Sequence, residues 1–190
     1  MALNKPGFIQ ELTDAFSQTT WAASALKTAQ AIDNFIKSGT VNTTVNGVVV
    51  PPPPASPYPA TGVGVGTITT TTLPILQGAC STAFASVKWV VVGNIIADAI
   101  SIHVMSAVVN MNDSNILVGT GVGKIAPAGI AQLQVALTTA FTTPGKPYPE
   151  VISDIANAVE AFLKSAQVTT TDSGVVPPNS WTGAGVGTIS

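Results

Sequence analysis

A single histidine, His103, and a single cysteine, Cys80, head the side chains suited to nucleophilic or acid–base chemistry in this sequence. Neither has a partner at a recognised spacing. A general base must reach the hydroxyl or thiol it activates, with a third group orienting it, and no Ser-His or Cys-His motif frames His103. One cysteine also forms no intrachain disulfide. The best carboxylate pairs available are Glu11 with Asp14 and Asp154 with Glu160. Each falls on a segment that reads as a helix, which makes it a polar helix face rather than an acid–base pair in a cleft. Metal ligands come in clusters, whereas the 9 acids are dispersed. Asn112-Asp113-Ser114 and Asp172-Ser173-Gly174 are read as turns rather than calcium loops. The expectation is no catalytic residue, no metal site, no cofactor and no small-molecule substrate.

Glycine-rich segments are the other place where chemistry would be sought. Gly62-Val-Gly-Val-Gly66-Thr-Ile68 returns as Gly119-Thr-Gly-Val-Gly123-Lys-Ile125 and as Gly183-Ala-Gly185-Val-Gly187-Thr-Ile189. A phosphate-binding loop needs GxxxxGK followed by Ser or Thr. Here Lys124 is followed by Ile125, position 118 is Val, and Pro127 opposes a helix start. The dinucleotide fingerprint GxGxxG is also absent, because these glycines keep a strict period of two. Period two is a strand with one face stripped of side chains, against which another backbone or an aromatic ring should lie.

The elements that would carry these strands repeat with them. Leu12-Thr-Asp-Ala-Phe16 matches Cys80-Ser-Thr-Ala-Phe84 and Leu137-Thr-Thr-Ala-Phe141. Ala31-Ile-Asp-Asn-Phe35-Ile-Lys-Ser matches Ala99-Ile-Ser-Ile-His103-Val-Met-Ser and Ala158-Val-Glu-Ala-Phe162-Leu-Lys-Ser. Three units follow, at 1–72, 73–126 and 127–190. In each, a first helix carries apolar residues at three- and four-residue spacing (Ile9, Leu12, Phe16; Leu133, Leu137, Phe141). A second helix carries Ala31, Ile32, Phe35 and Ile36, or Ile155, Val159, Phe162 and Leu163. Then come β-branched stretches, Thr40–Val45 and Gln167–Thr171, and the glycine strand. The expected fold is α+β, three tandem α-α-β-β repeats, each a hairpin covered by two helices, disposed about a pseudo-threefold axis or in a row. The alignment puts His103 opposite two phenylalanines, and Cys80 opposite two leucines, so both read as core residues.

Composition narrows the partners. Charged residues make up 8% of the 190 positions, against about a quarter in an average soluble chain. With Lys+Arg at 7, no basic stripe for nucleic acid is expected. No secretion signal is read at the start, and the apolar stretch from Trp89 to Met111 is interrupted by Asn94, Asp98 and His103, so no membrane span is expected. A surface of Thr, Ser, Asn and Gly suits a protein packed against neighbours.

Contact candidates follow from the connections between strands. Residues 50–59, including Pro51, Pro52, Pro53, Pro54 and Tyr58, are expected to form a stiff, projecting polyproline II connector that docks or spaces. Asn110–Asn115 reads as the short counterpart of that connection, and Val175–Trp181 as an intermediate one. Trp181 is a candidate interface anchor. Trp21, Trp89 and Trp181 are taken as unaligned between units. Gly183, Gly185 and Gly187, in the last strand, are candidates for completing a partner's sheet.

The opening Met1-Ala-Leu-Asn-Lys-Pro-Gly, the Ala-Ile-Asp-Asn-Phe-Ile-Lys-Ser-Gly helix ending, the Thr-Val-Asn-Thr-Thr-Val strand and the closing TGxGxGxI resemble small virion proteins of tailed bacteriophages, cyanophages among them. Those proteins typically carry one such unit, where this chain has three. The resemblance implies a non-enzymatic virion component, made in the host cytoplasm, whose partners are other virion proteins and itself. Tail, baseplate or neck is the first expectation and a head decoration or cement role the second. A host-surface binding module is the third, and it requires Trp21, Tyr58 and Trp181 on one exposed face.

Overall fold

The computed structural model describes residues 3–86 and 88–190. Helices and strands alternate in pairs: α1 (Lys5–Phe16), α2 (Trp21–Ser38), β1 (Thr40–Val50), β2 (Tyr58–Thr69); α3 (Leu73–Ala85), α4 (Trp89–Met105), β3 (Val108–Asn115), β4 (Gly119–Ala126); α5 (Ile130–Thr142), α6 (Tyr148–Ser165), β5 (Gln167–Val176), β6 (Asn179–Ile189). The chain is α+β, with the helix-helix-strand-strand order running through it.

Local chemistry sets the helix starts. The Asn4 side chain accepts a hydrogen bond from Gly7 N at 3.1 Å, and Thr20 Oγ1 accepts one from Ala23 N at 3.2 Å, satisfying amides that the first turn leaves open. Pro6, Pro74 and Pro149 stand within the first two positions of α1, α3 and α6, where a missing N–H costs nothing. Gly78 lies exposed in the interior of α3, and a Cβ there would meet nothing within 4 Å. Gly78→Ala should therefore raise stability by about 0.5–1 kcal/mol, since only backbone freedom changes; thermal unfolding measures it.

All the strands join one closed antiparallel barrel in the order β1-β2-β3-β4-β5-β6. Each glycine strand pairs both within its own hairpin and with the next: β2 with β1 and β3, β4 with β3 and β5, β6 with β5 and β1. Gly183–Ile189 is thus no free edge. With Trp181↔Val49 on one side and Trp181↔Gly174 on the other, β6 has no unpaired ladder to offer a partner. The expectation that Gly183, Gly185 and Gly187 complete a neighbour's sheet is overturned.

The helices stand at one end of this barrel, where β1, β3 and β5 begin, and each packs on the next around a ring that α1 and α6 close. They do not cover the outer faces of the hairpins. The reason lies in the strands' alternation: the residues pointing inward are the buried ones, and the barrel itself covers them. The core runs continuously from the helix ring (Leu12, Ile32, Ile36, Leu76, Ile100, Leu137, Val159, Leu163) into the first barrel layer of Val41, Ile68, Val109, Ile125, Val168 and Ile189. A smaller cluster of Val45, Val49, Leu117 and Trp181 plugs the hairpin-tip end.

Three loop expectations also change. Residues 51–57 make a turn, with Ala55 N donating to Pro52 O at 3.2 Å and a cis bond at Pro53–Pro54. A polyproline II rod advancing about 3 Å per residue would carry β2 away from the β1 it must pair with. Pro52, Pro53, Pro54 and Tyr58 remain exposed and Pro51 half-buried. Asn110–Asn115 lies in strand β3, and the actual connection is 116–118. Asn112-Asp113-Ser114 and Asp172-Ser173-Gly174, read as turns, are strand residues whose acids face into the barrel.

Candidate functional site

Three regions gather the polar and aromatic side chains: the buried polar tie between helices, the barrel lumen, and the exposed surface formed by the helix turns and the outer barrel wall.

His103 is 1% exposed and Asp33 fully buried. Asp33 Oδ1 meets His103 Nε2 at 3.0 Å and accepts from the Thr70 hydroxyl, while Oδ2 accepts from Lys37 Nζ at 2.7 Å. On the other side His103 Nδ1 meets Thr72 Oγ1 at 2.7 Å, which also meets Ser106 Oγ at 2.7 Å. Burial by itself raises the Asp33 carboxyl; the hydrogen bonds from Lys37, Thr70 and His103, with the Lys37 charge, outweigh it and hold the group below the ordinary carboxylate range. The order hydroxyl, imidazole, carboxylate is that of a nucleophile relay. Here the imidazole is sealed, so no substrate atom can approach it. What the chain does is tie α2 to α4 and to the β2–α3 connection. Sequence alignment placed His103 in the core; Asp33, its partner, was not singled out, because a helical acid one turn before Lys37 looks like a surface pair.

Cys80, fully buried, has its thiol pushed up to about 12 by burial, as for a small core hydrophobe. The carboxylates considered for acid–base work lie on helix faces. Glu11 accepts from Asn34 at 2.9 Å, and Asp14 from Gln10 at 3.2 Å. Glu160 is held low by hydrogen bonds from Lys164 at 2.8 Å and Lys5 at 2.9 Å, and Asp154 pairs with Lys146. A groove of about 760 Å³ runs along the junction of α1, the end of α2, β1 and β2, and its one ionisable lining side chain is Lys37.

Inside the barrel, the glycines of β2, β4 and β6 leave room for the inward side chains of β1, β3 and β5. Asp113 (5% exposed) and Asp172 (1%) face the lumen, with Thr43 and Thr170 beside them. A Cβ at Gly64 would stand 2.5 Å from Asp113 Oδ1 and 2.6 Å from Thr43 Oγ1, and one at Gly121 would run into Asp172 Oδ1. Another backbone or an aromatic ring was expected against the glycines; neighbouring backbone does lie against Gly183 and Gly187, while carboxylate, hydroxyl and thioether groups lie against Gly64, Gly66, Gly121 and Gly185. Trp181 is the aromatic occupant: a Cβ at Gly119 would stand 2.8 Å from its ring. Burial, then the charge of Asp172, raise the Asp113 carboxyl to about 6. The signal for this pair was available: Val109, Met111, Asp113 and Val168, Thr170, Asp172 alternate like Val41, Thr43, Val45.

At the far end of the helix ring the turns bring aromatic residues together. Phe16 lies 5.7 Å from Phe84 and 6.4 Å from Phe141, ring centre to ring centre. Around them stand Trp21, Trp89 and Tyr148: Trp21 edge-on to Trp89 at 5.9 Å, Trp89 stacked on Phe141 at 6.1 Å, Tyr148 edge-on to Phe16 at 5.6 Å. Each is the first residue of its unit's second helix, and each is exposed, by 59%, 43% and 51%. The reading that Trp21 and Trp89 do not align is therefore wrong: they are 68 residues apart, as are Phe16 and Phe84, and Tyr148 follows 59 after Trp89, as Ala158 follows Ala99. A cavity of about 220 Å³ opens among Phe16, Trp21, Trp89, Phe141 and Tyr148.

The outer barrel wall is nearly without charge. Strand residues with charged side chains are Asp113, Asp172 and Lys124, and both acids point inward. Outward stand threonines, asparagines and exposed Val63, Val65, Val122, Val175 and Val186. Trp181 is 2% exposed, its indole N–H donating to Val118 O at 2.9 Å. It anchors the lumen plug rather than an interface, because the hairpin tips close over it. Trp21 and Tyr58 lie at opposite ends of the molecule, so Trp21, Tyr58 and Trp181 share no face. Among the described residues no helix is long and apolar enough to cross a membrane. No protein-family model, curated protein or solved structure matches the chain.

Proposed function

We propose that the chain is a non-enzymatic structural component of a tailed-phage particle, in its tail, baseplate or neck, built from three copies of one α-α-β-β unit about a pseudo-threefold axis. The observation that carries this reading is the barrel wall, where Lys124 is the one outward charge and valines stand exposed between threonines and asparagines. Charge depletion with exposed apolar side chains marks surfaces that other proteins cover. The equivalent positions of Phe16, Phe84 and Phe141, and of Trp21, Trp89 and Tyr148, support threefold copies. A chain with this symmetry fits a threefold or sixfold ring of like surfaces. Its partners are then other virion proteins and further copies of itself, and its location is the particle.

Gradient-purified particles of the encoding phage should contain the chain in many copies, detected by mass spectrometry. Its absence from particles would overturn the reading. The purified chain should also associate, by light scattering, in a way that Val65→Lys with Val122→Lys abolishes while circular dichroism stays unchanged. A monomer indifferent to these changes would move the contact surface away from the barrel wall. A head-decoration role predicts instead that particles lacking the chain keep their tails and lose capsid stability.

A further inference from the structure

Four oxygens without a hydrogen-bond partner are gathered in the lumen of the barrel. Asp113 Oδ1 and Oδ2, Asp172 Oδ1 and Thr43 Oγ1 are all buried and without a hydrogen-bond partner. Within the pair, Asp172 Oδ2 is satisfied, by the Thr170 hydroxyl at 2.5 Å. Buried carboxylates normally have partners, since isolating a charge from water is costly. The groups also converge. Thr43 Oγ1 and Asp113 Oδ1 both approach the point where a Gly64 side chain would sit, at 2.6 and 2.5 Å. Around the corresponding point at Gly185, Asp172 Oδ2 lies at 3.2 Å and Thr43 Cβ at 3.3 Å. Thr43 thus has its hydroxyl beside Asp113 and its Cβ toward the Asp172 carboxylate.

We propose that Asp113, Asp172 and the Thr43 hydroxyl hold a divalent cation of the calcium class inside the barrel. The donors are oxygens throughout, and two carboxylates balance a double positive charge. Calcium accepts irregular shells of carboxylate, hydroxyl and carbonyl oxygens, whereas magnesium demands an octahedron and keeps several waters. The lumen is closed on both sides. Met111 and the layer of Val41, Val109 and Val168 lie toward the helices, and Val45, Val49, Leu117 and Trp181 lie toward the tips. A bound ion would therefore enter during folding and leave slowly. The device also explains why glycine faces these acids: any side chain at 64 or 121 would occupy the space of the carboxylates.

The test uses the full chain. After exhaustive dialysis against metal-free buffer, elemental mass spectrometry should find about one calcium per chain. Protein refolded from denaturant with excess calcium should melt roughly 5–10 °C above protein refolded with a chelator. Asp172→Asn should lose the metal and the calcium-dependent shift together. Two results would overturn the proposal. One is calcium retained by Asp172→Asn, which places it on the surface. The other is metal well below stoichiometry with equal melting temperatures after the two refoldings. If Asp172→Asn does not fold, the two wild-type refoldings decide the question alone.

Discussion

Gly187→Val should destabilise the protein by about 3 kcal/mol or more, lowering the melting temperature by on the order of 10 °C. A Cβ at Gly187 would stand 2.7 Å from Asn42 C and 2.8 Å from Thr43 Cα, and it would strike the Asn42 carbonyl oxygen as well. These are backbone atoms of β1, held by the ladder on both sides, so they cannot step aside without opening the barrel at β1–β6. Gly66→Ala makes the informative comparison. Its Cβ would run chiefly into the Met111 sulfur, the middle of a flexible side chain that can re-pack, so its cost should be clearly smaller. Chemical denaturation of both variants measures the order. Equal losses at 66 and 187 would mean that lumen volume, and not backbone approach, limits the barrel.

The second large effect lies in the helix ring. Asp33→Ala should cost about 3–5 kcal/mol near neutral pH, because it leaves His103, Thr70 and Lys37 without the acceptor they share. The pH dependence tests the cause. Asp33 has a folded pKa below its ordinary 3.8, so the folded state binds its proton less readily than the unfolded state. Its stabilisation is fully present above that ordinary value and is lost as pH falls through the folded one. The wild type and Asp33→Ala should therefore differ most at neutral pH and converge in strong acid. A gap that stays constant from pH 7 to pH 2 would show that Asp33 acts through packing alone. Since α2 and α4 belong to different sequence units, this loss would also measure how firmly those units are joined.

How much of this was written in the sequence can be judged residue by residue. The helix stripes were legible because burial on a helix follows a period set by the backbone: Leu12, Ile32, Phe35, Leu137, Val159 and Leu163 are all in the core. The glycine strands were legible for the same reason at period two. Even the aromatic crown was available in principle, since the spacings of Trp21, Trp89 and Tyr148 equal those of residues already aligned.

Asp113 and Asp172 were misread because short polar triplets favour turns locally, and only the ladder decides that they are strand residues. The polyproline segment was misread similarly: its intrinsic preference is an extended rod, and the hairpin forces it to reverse. Trp181 looked like an anchor for a partner until the tips closed over it.

Local periodicity and repeat spacing thus determined the elements, their order and the faces they bury. Tertiary structure alone decided that the hairpins close into one barrel, that the last strand has no free edge, and that two acids far apart in sequence meet in a sealed lumen. These outcomes depend on pairing between distant segments, whose free energy comes from closure of the whole sheet and is encoded in no single stretch of chain.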